Sequence, residues 1–178
     1  MSPEELKALI RTVPDFPKPG IQFRDITTLI SHGAGLAASI EHLADHARAM
    51  GAEAIAGMEA RGFIFGTAVA VRLGLPFIPI RKPGKLPIPT IGVEYALEYG
   101  TDRLEMDPDA VSEGQRVVIV DDLIATGGTA EAAVKLLRRA GAEVSDALFV
   151  IDLPDLGGAQ VLADCGVEVT KLIDFEGD

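Results

Sequence analysis

The chain has 178 residues, of which 48% are hydrophobic and only 5% aromatic, with 19 glycines and no tryptophan. That length and mix suit one domain folding on a core of Ala, Val, Ile and Leu, and they exclude a disordered chain or a disulfide scaffold. The 16 basic against 27 acidic residues leave a net charge of −11, which argues against a nucleic-acid partner, since duplex binding needs a basic face.

The first residues, Met1-Ser2-Pro3-Glu4-Glu5, are acidic and polar, unlike a signal peptide. The longest stretch without Asp, Glu, Lys or Arg, 26–40, is too short to span a bilayer, so no membrane contact is expected. A single cysteine, Cys165, cannot form an internal bridge, and a reducing cytoplasm is the expected compartment.

Ser2-Pro3-Glu4-Glu5 reads as a capping box opening a helix to about residue 11. Pro14, Pro17, Pro19 and Gly20 make 13–20 an ordered turn or extended arm. Leu36, Ile40, Leu43, Ala47 and Met50 form one apolar helical face, stopped by Gly51. Residues 54–58 are almost wholly apolar and predict a strand covered on both faces. Glu59-Ala60-Arg61-Gly62 is expected as a loop, followed by a helix to Leu73 and a second buried strand over 76–80. Residues 81–92 then hold Arg81, Lys82 and Lys85 among Pro83, Gly84, Pro87, Pro89 and Gly92. Such a basic loop is either a solvated surface or a mobile functional lid. Residues 93–98 and 103–106 predict a hairpin around Gly100. A strand follows over 116–120, then a helix over 128–140, strands over 147–151 and 167–173, and a short helix at 159–163. Alternating strands and helices predict an α/β fold, a parallel sheet flanked by helices, with the ligand beyond the carboxyl ends of the strands.

The loop after Val120 carries the plainest chemistry: Asp121-Asp122-Leu123-Ile124-Ala125-Thr126-Gly127-Gly128-Thr129. Two glycines let the backbone approach a ligand, and amides at a helix start cradle an anion. Thr126 and Thr129 add hydroxyl donors. Carboxylates are poor phosphate ligands but good acceptors for ribose hydroxyls. The order therefore predicts a pentose 5-phosphate site, with diols toward Asp121 and Asp122 and phosphate on Ala125, Thr126, Gly127, Gly128 and Thr129. It matches neither a Walker loop nor Gly-x-Gly-x-x-Gly.

This segment, from Val117 to Thr129, resembles the phosphoribosyl-pyrophosphate motif of type I phosphoribosyltransferases. Three further segments resemble the adenine-specific branch of that family: Phe16-Pro17-Lys18-Pro19-Gly20-Ile21-Gln22-Phe23-Arg24-Asp25-Ile26-Thr27 its base-binding segment, Glu59-Ala60-Arg61-Gly62-Phe63-Ile64-Phe65-Gly66 its pyrophosphate loop, and Arg81-Lys82-Pro83-Gly84-Lys85-Leu86-Pro87 through Leu97-Glu98-Tyr99-Gly100 its flexible loop and hairpin. Gln22 departs from the pattern, which has an aliphatic residue there. The resemblance implies one phosphoribosyltransferase domain over 1–178, with an N-terminal hood over 1–33 and a core over 34–178 carrying the flexible loop 81–106.

It further implies conversion of adenine and phosphoribosyl pyrophosphate to AMP and pyrophosphate, a purine-salvage reaction, by a cytoplasmic homodimer. Arg61 would hold pyrophosphate with its guanidinium fork. Lys82 and Lys85 would close on the same anion, with Lys82 pointing inward. Glu98, in isolation a solvated hairpin charge, would stand near N7 of adenine for general acid–base work. Gln22, Phe23 and Arg24 would bind adenine, with Asp25 orienting Arg24. Mg²⁺ would be held mainly by substrate oxygens and water, with no direct protein ligands. His32, His42 and His46 are expected as surface residues, and Cys165 as a small buried apolar one. A 6-oxopurine or xanthine enzyme is the competing reading, but it would need a donor such as lysine in the loop after Ile151, which reads Asp152-Leu153-Pro154-Asp155-Leu156-Gly157-Gly158. A phosphoribosyl-pyrophosphate-sensing regulator would need a basic surface or an added DNA-binding domain.

Overall fold

The computed structural model describes residues 1–97 and 99–177. Its centre is a parallel sheet of five strands: β3 (Ala54–Met58), β4 (Phe77–Ile80), β7 (Val117–Ile124), β8 (Asp146–Asp152) and β9 (Glu168–Asp174), in the order β4-β3-β7-β8-β9. Alternate residues of each strand serve opposite faces. Ala56, Ile119 and Phe149 join one core, and Ile55, Val118, Val120, Leu148 and Val150 the other. This two-sided burial explains the unbroken apolar runs read from the sequence.

One face is covered by α5 (Gly128–Arg139), α6 (Gly158–Asp164) and the hairpin of β5 (Ile91–Ala96) with β6 (Thr101–Met106). The other is covered by α1 (Pro3–Leu9), α3 (Gly33–Ala49) and α4 (Arg61–Leu73). The capping box at Ser2 is formed in full, and Leu6 is completely buried. A left-handed Gly74, at φ 68°, ends α4 where the sequence placed the stop.

From β3 the chain proceeds to β4 on one side, and from β7 to β8 and β9 on the other. The loops after β3 and β7 thus diverge, and α4 and α5 lie on opposite faces. This is the switch point at which open α/β sheets form a crevice.

Several boundaries differ from expectation. Arg61 is the first residue of α4, not part of a loop. Asp121 and Asp122 lie within β7, which runs on to Ile124 because it continues to pair with β8. Arg81 forms a bridge with Glu105 and residues 91–92 belong to β5, so the connecting loop spans 82–90. The arm contains a hairpin, β1 (Arg11–Pro14) with β2 (Gln22–Asp25), followed by the short α2 (Thr27–Ile30). Prolines hid the first strand of that hairpin. His32 caps α3, its Nδ1 accepting the Gly35 N–H at 3.0 Å. Cys165 is half-buried at the end of α6 rather than buried. No helix among the described residues is long and apolar enough to cross a membrane.

Candidate active site

Two cavities adjoin at the switch point and share Arg61, Asp122 and Leu123 in their walls. The first, about 300 Å³, is polar. It is lined by Glu59, Lys82, Asp121 and the whole segment 125–129. The second, about 440 Å³, is mainly apolar. Gln22, Phe23 and Arg24 from the hood line it, facing Leu153 and Leu156 from the loop after β8.

The segment expected to cradle an anion lies at the start of α5. Gly127 adopts φ 86° and no side chain caps the helix, so the first amides of α5 remain for a ligand. The turn is packed closely from behind: the Gly158 N–H donates to the Ala125 carbonyl at 2.9 Å. A Cβ on Gly158 would stand 2.5 Å from that oxygen, so only glycine fits. Gly158 was not read as a site residue, since its partner lies 33 residues earlier in the chain and nothing local signals the contact.

The acidic pair is asymmetric. Asp122 is 5% exposed and accepts a hydrogen bond from Arg61 Nε. That bond and the Asp122 charge hold the Arg61 guanidinium more firmly protonated than usual. Asp121 accepts the Asp122 N–H at 2.8 Å. Burial, and then the neighbouring Asp122 charge, push its carboxyl well above the usual range. A Cβ on Gly62 would lie 2.7 Å from Asp121 Oδ1, so the glycine beside Arg61 admits the carboxylate. The peptide bond between Glu59 and Ala60 is cis.

Lys82 enters the polar cavity from the root of the 82–90 loop. Its Nζ donates to Asp102 and, at 3.2 Å, to the Tyr95 hydroxyl. Burial works against its charge, but these two bonds outweigh it and raise the pKa. Tyr95 also lies 3.4 Å from Thr129 Oγ1, so β5 is tied to the cradle. Glu59 accepts the Lys82 N–H at 2.7 Å and Arg81 Nε at 3.3 Å, fixing the root of the loop. Tyr95, Asp102 and Glu59 were missed by sequence reasoning. Tyr95 and Asp102 face each other in the hairpin register, which the turn at Gly100 could have revealed. Lys85 lies on the exposed part of the loop and lines neither cavity. Glu98 lies outside the described residues.

In the hood, Phe23 meets Phe16 edge-on with ring centres 5.2 Å apart. Asp25 does not orient Arg24. It pairs with Arg11 and accepts the Thr27 N–H at 3.0 Å, and the Arg11 hydrogen bond leads in lowering its pKa to about 2. The Arg24 guanidinium donates to Thr12 Oγ1 at 2.9 Å and to the Glu176 carbonyl at 3.1 Å. Among the described residues there is no group of three or more His, Cys, Asp or Glu able to hold a metal.

A polar cavity joined to a mainly apolar one could hold a phosphorylated sugar beside a base. Comparison with known proteins agrees with that geometry. A family profile described as "Phosphoribosyl transferase domain" matches residues 25–157. Adenine phosphoribosyltransferase of Erythrobacter litoralis is 75% identical over 177 residues, covering 99% of both chains. The crystal structure of adenine phosphoribosyltransferase from Thermoanaerobacter pseudethanolicus superposes with a TM-score of 0.92 at 50% identity, over 98% of this chain and 100% of that one. The Saccharomyces cerevisiae enzyme, solved with an imino-altritol bisphosphate and adenine, gives 0.90 at 36% identity, over 96% and 97%.

Proposed function

The chain belongs to the phosphoribosyltransferase family, and we propose that it transfers ribose 5-phosphate from phosphoribosyl pyrophosphate to N9 of adenine, giving AMP and pyrophosphate. The observation that carries the reading is the pair of adjoining cavities sharing Arg61, Asp122 and Leu123. One has polar groups suited to a sugar phosphate, and the other a mainly apolar lining suited to a base.

The 5-phosphate sits on the amides and hydroxyls of 125–129, and the ribose diol donates to Asp121 and Asp122. Arg61 faces the pyrophosphate, and Lys82 leaves Asp102 to join it. As the C1–O bond breaks, its electron pair leaves with pyrophosphate and positive charge builds on the ribose ring. Asp121 and Asp122 stabilise that charge, and Arg61 and Lys82 the leaving group. The N9 lone pair then bonds to C1, and Glu98 takes the proton that adenine sheds. Residues 82–90, carrying Lys85, close over the site to exclude water, which would otherwise capture the cation.

Magnesium fits this donor set as an ion carried by substrate. Asp122 is committed to Arg61, and no three-residue acidic or imidazole group stands among the described residues. The ion would take pyrophosphate and ribose oxygens and water, and when bound it offsets the leaving-group charge.

Adenine is favoured over a 6-oxopurine because no lysine lines the base cavity, and the loop after β8 supplies Leu153 and Leu156 instead. The whole chain acts as one domain, the hood over 1–33 covering the base. An apolar patch on α3 and α4, including Ile40, Phe63 and Ile64, with Val71 76% exposed, supports a homodimer. Sedimentation of the purified protein tests this, with Val71→Glu expected to give monomers. A cytoplasmic location fits the single unpaired Cys165. The activity itself is tested by following AMP formation with and without magnesium. No product in the presence of the metal would overturn it.

A further inference from the structure

Residues that follow β9 are held by groups from β8, β2, α1 and the turn after β8. The Phe175 N–H donates to the Asp152 carbonyl at 3.1 Å, which seats its ring at the fringe of the core. The Arg24 guanidinium lies over that ring at 4.7 Å, and Lys7 Nζ of α1 at 4.8 Å. Arg24 also donates to the Glu176 carbonyl at 3.1 Å. One residue further, the Gly177 N–H donates to Asp155 Oδ2 at 2.7 Å. Arg24 lines the base cavity from the hood, and the residues on either side of the 154–155 turn, Leu153 and Leu156, line it from the core. The tail therefore connects both walls of that cavity while lining neither.

We propose that Phe175 is a positioning residue for base recognition: its ring holds the Arg24 guanidinium in place, and the tail that follows ties the hood to the 153–156 loop. The inference rests on the adenine reading of that cavity. A free arginine side chain samples many rotamers, and ordering it on binding reduces affinity. Stacked on Phe175 and bonded to Thr12 and Glu176, Arg24 is ordered beforehand. Cation–ring contacts of this kind are worth enough to change an equilibrium several-fold. The effect should fall on the base rather than the sugar substrate, because among the described residues the tail bonds neither the 125–129 segment nor the acidic pair.

The test compares wild type with Phe175→Leu and Phe175→Tyr. Leucine keeps an apolar side chain but loses the ring, and tyrosine restores the ring. Phe175→Leu should raise KM for adenine by about three- to ten-fold, with kcat and KM for phosphoribosyl pyrophosphate within about two-fold of wild type. Phe175→Tyr should return KM for adenine to near the wild-type value. Amide hydrogen exchange gives a second readout that does not depend on the reaction. In Phe175→Leu, exchange should quicken in 11–25 and 153–156 and stay unchanged in α5. If the leucine variant lowers only the melting temperature, or raises both KM values together, Phe175 is structural and the inference fails. If wild type forms no AMP, the adenine reading fails, and unchanged exchange in the hood would then sink the tail's role separately.

Discussion

Arg61 Nε donates to Asp122 Oδ2 where the two cavities meet. The pair joins the first residue of α4, just after β3, to the later part of β7, the two strands from which the strand order runs outward in opposite directions. In the proposed reaction the two groups serve opposite purposes, Arg61 for the leaving pyrophosphate and Asp122 for the ribose. The Asp122 hydrogen bond orients the Arg61 guanidinium, and burial with the neighbouring Asp122 charge raises the pKa of Asp121.

Asp121→Asn with Asp122→Asn should cripple turnover while the protein stays folded. Ribose hydroxyls would lose charged acceptors worth about 1.5–3 kcal/mol each, and Arg61 would lose its partner. Steady-state kinetics with a thermal melt checks this. Unchanged kcat and unchanged KM for phosphoribosyl pyrophosphate would return the pair to a structural role.

Gly158→Ala places a methyl group 2.5 Å from the Ala125 carbonyl oxygen. The backbone of the cradle must shift, so KM for phosphoribosyl pyrophosphate should rise by an order of magnitude or more, with a stability loss of about 1–3 kcal/mol. Calorimetric titration with the sugar substrate measures the first effect. Wild-type affinity would mean that the cradle tolerates the movement.

Phosphoribosyl pyrophosphate with magnesium should protect the 82–90 loop from trypsin. The Lys85–Leu86 bond is the site to watch, since Lys85 is exposed whereas Lys82 precedes Pro83 and is bonded to Asp102. Equal cleavage with and without the ligand would remove the lid from the mechanism.

Glu98→Gln keeps size and hydrogen bonding but cannot take a proton. Single-turnover AMP formation should slow by about 10²–10⁴-fold, with a smaller change in KM for adenine. Glu98→Ala should be at least as slow. Wild-type rates in both would make Glu98 a solvated hairpin charge and send the proton to water or phosphate.

The sheet strands, the helices and the 125–129 cradle were legible because their signals are local: apolar runs, helical periodicity, and glycines beside an acidic pair. What escaped depends on distance in the chain. Asp25 reads as a partner for Arg24, its neighbour, but hairpin register sets it opposite Arg11. The Tyr95–Asp102–Lys82 cluster needs the β5–β6 register, and the Gly158–Ala125 contact needs the packing of α6 against the phosphate loop. Leu153 and Leu156 look like ordinary core leucines until the hood is placed over them. Lys82 reads as the inward lysine because it follows the strand most directly, but that Lys85 stays exposed and outside both cavities is not legible without the tie from Glu59 to the Lys82 N–H.

The central claim is that the apolar cavity selects adenine. The direct measurement is competition among adenine, guanine, hypoxanthine and xanthine for limiting phosphoribosyl pyrophosphate, with magnesium present and nucleotide products separated. AMP should dominate, because the loop after β8 gives the cavity Leu153 and Leu156 rather than a lysine donor for a 6-oxo group, and buried polar groups left unpaired cost about 1–3 kcal/mol each. GMP, IMP or XMP formed as fast as AMP would contradict the assignment.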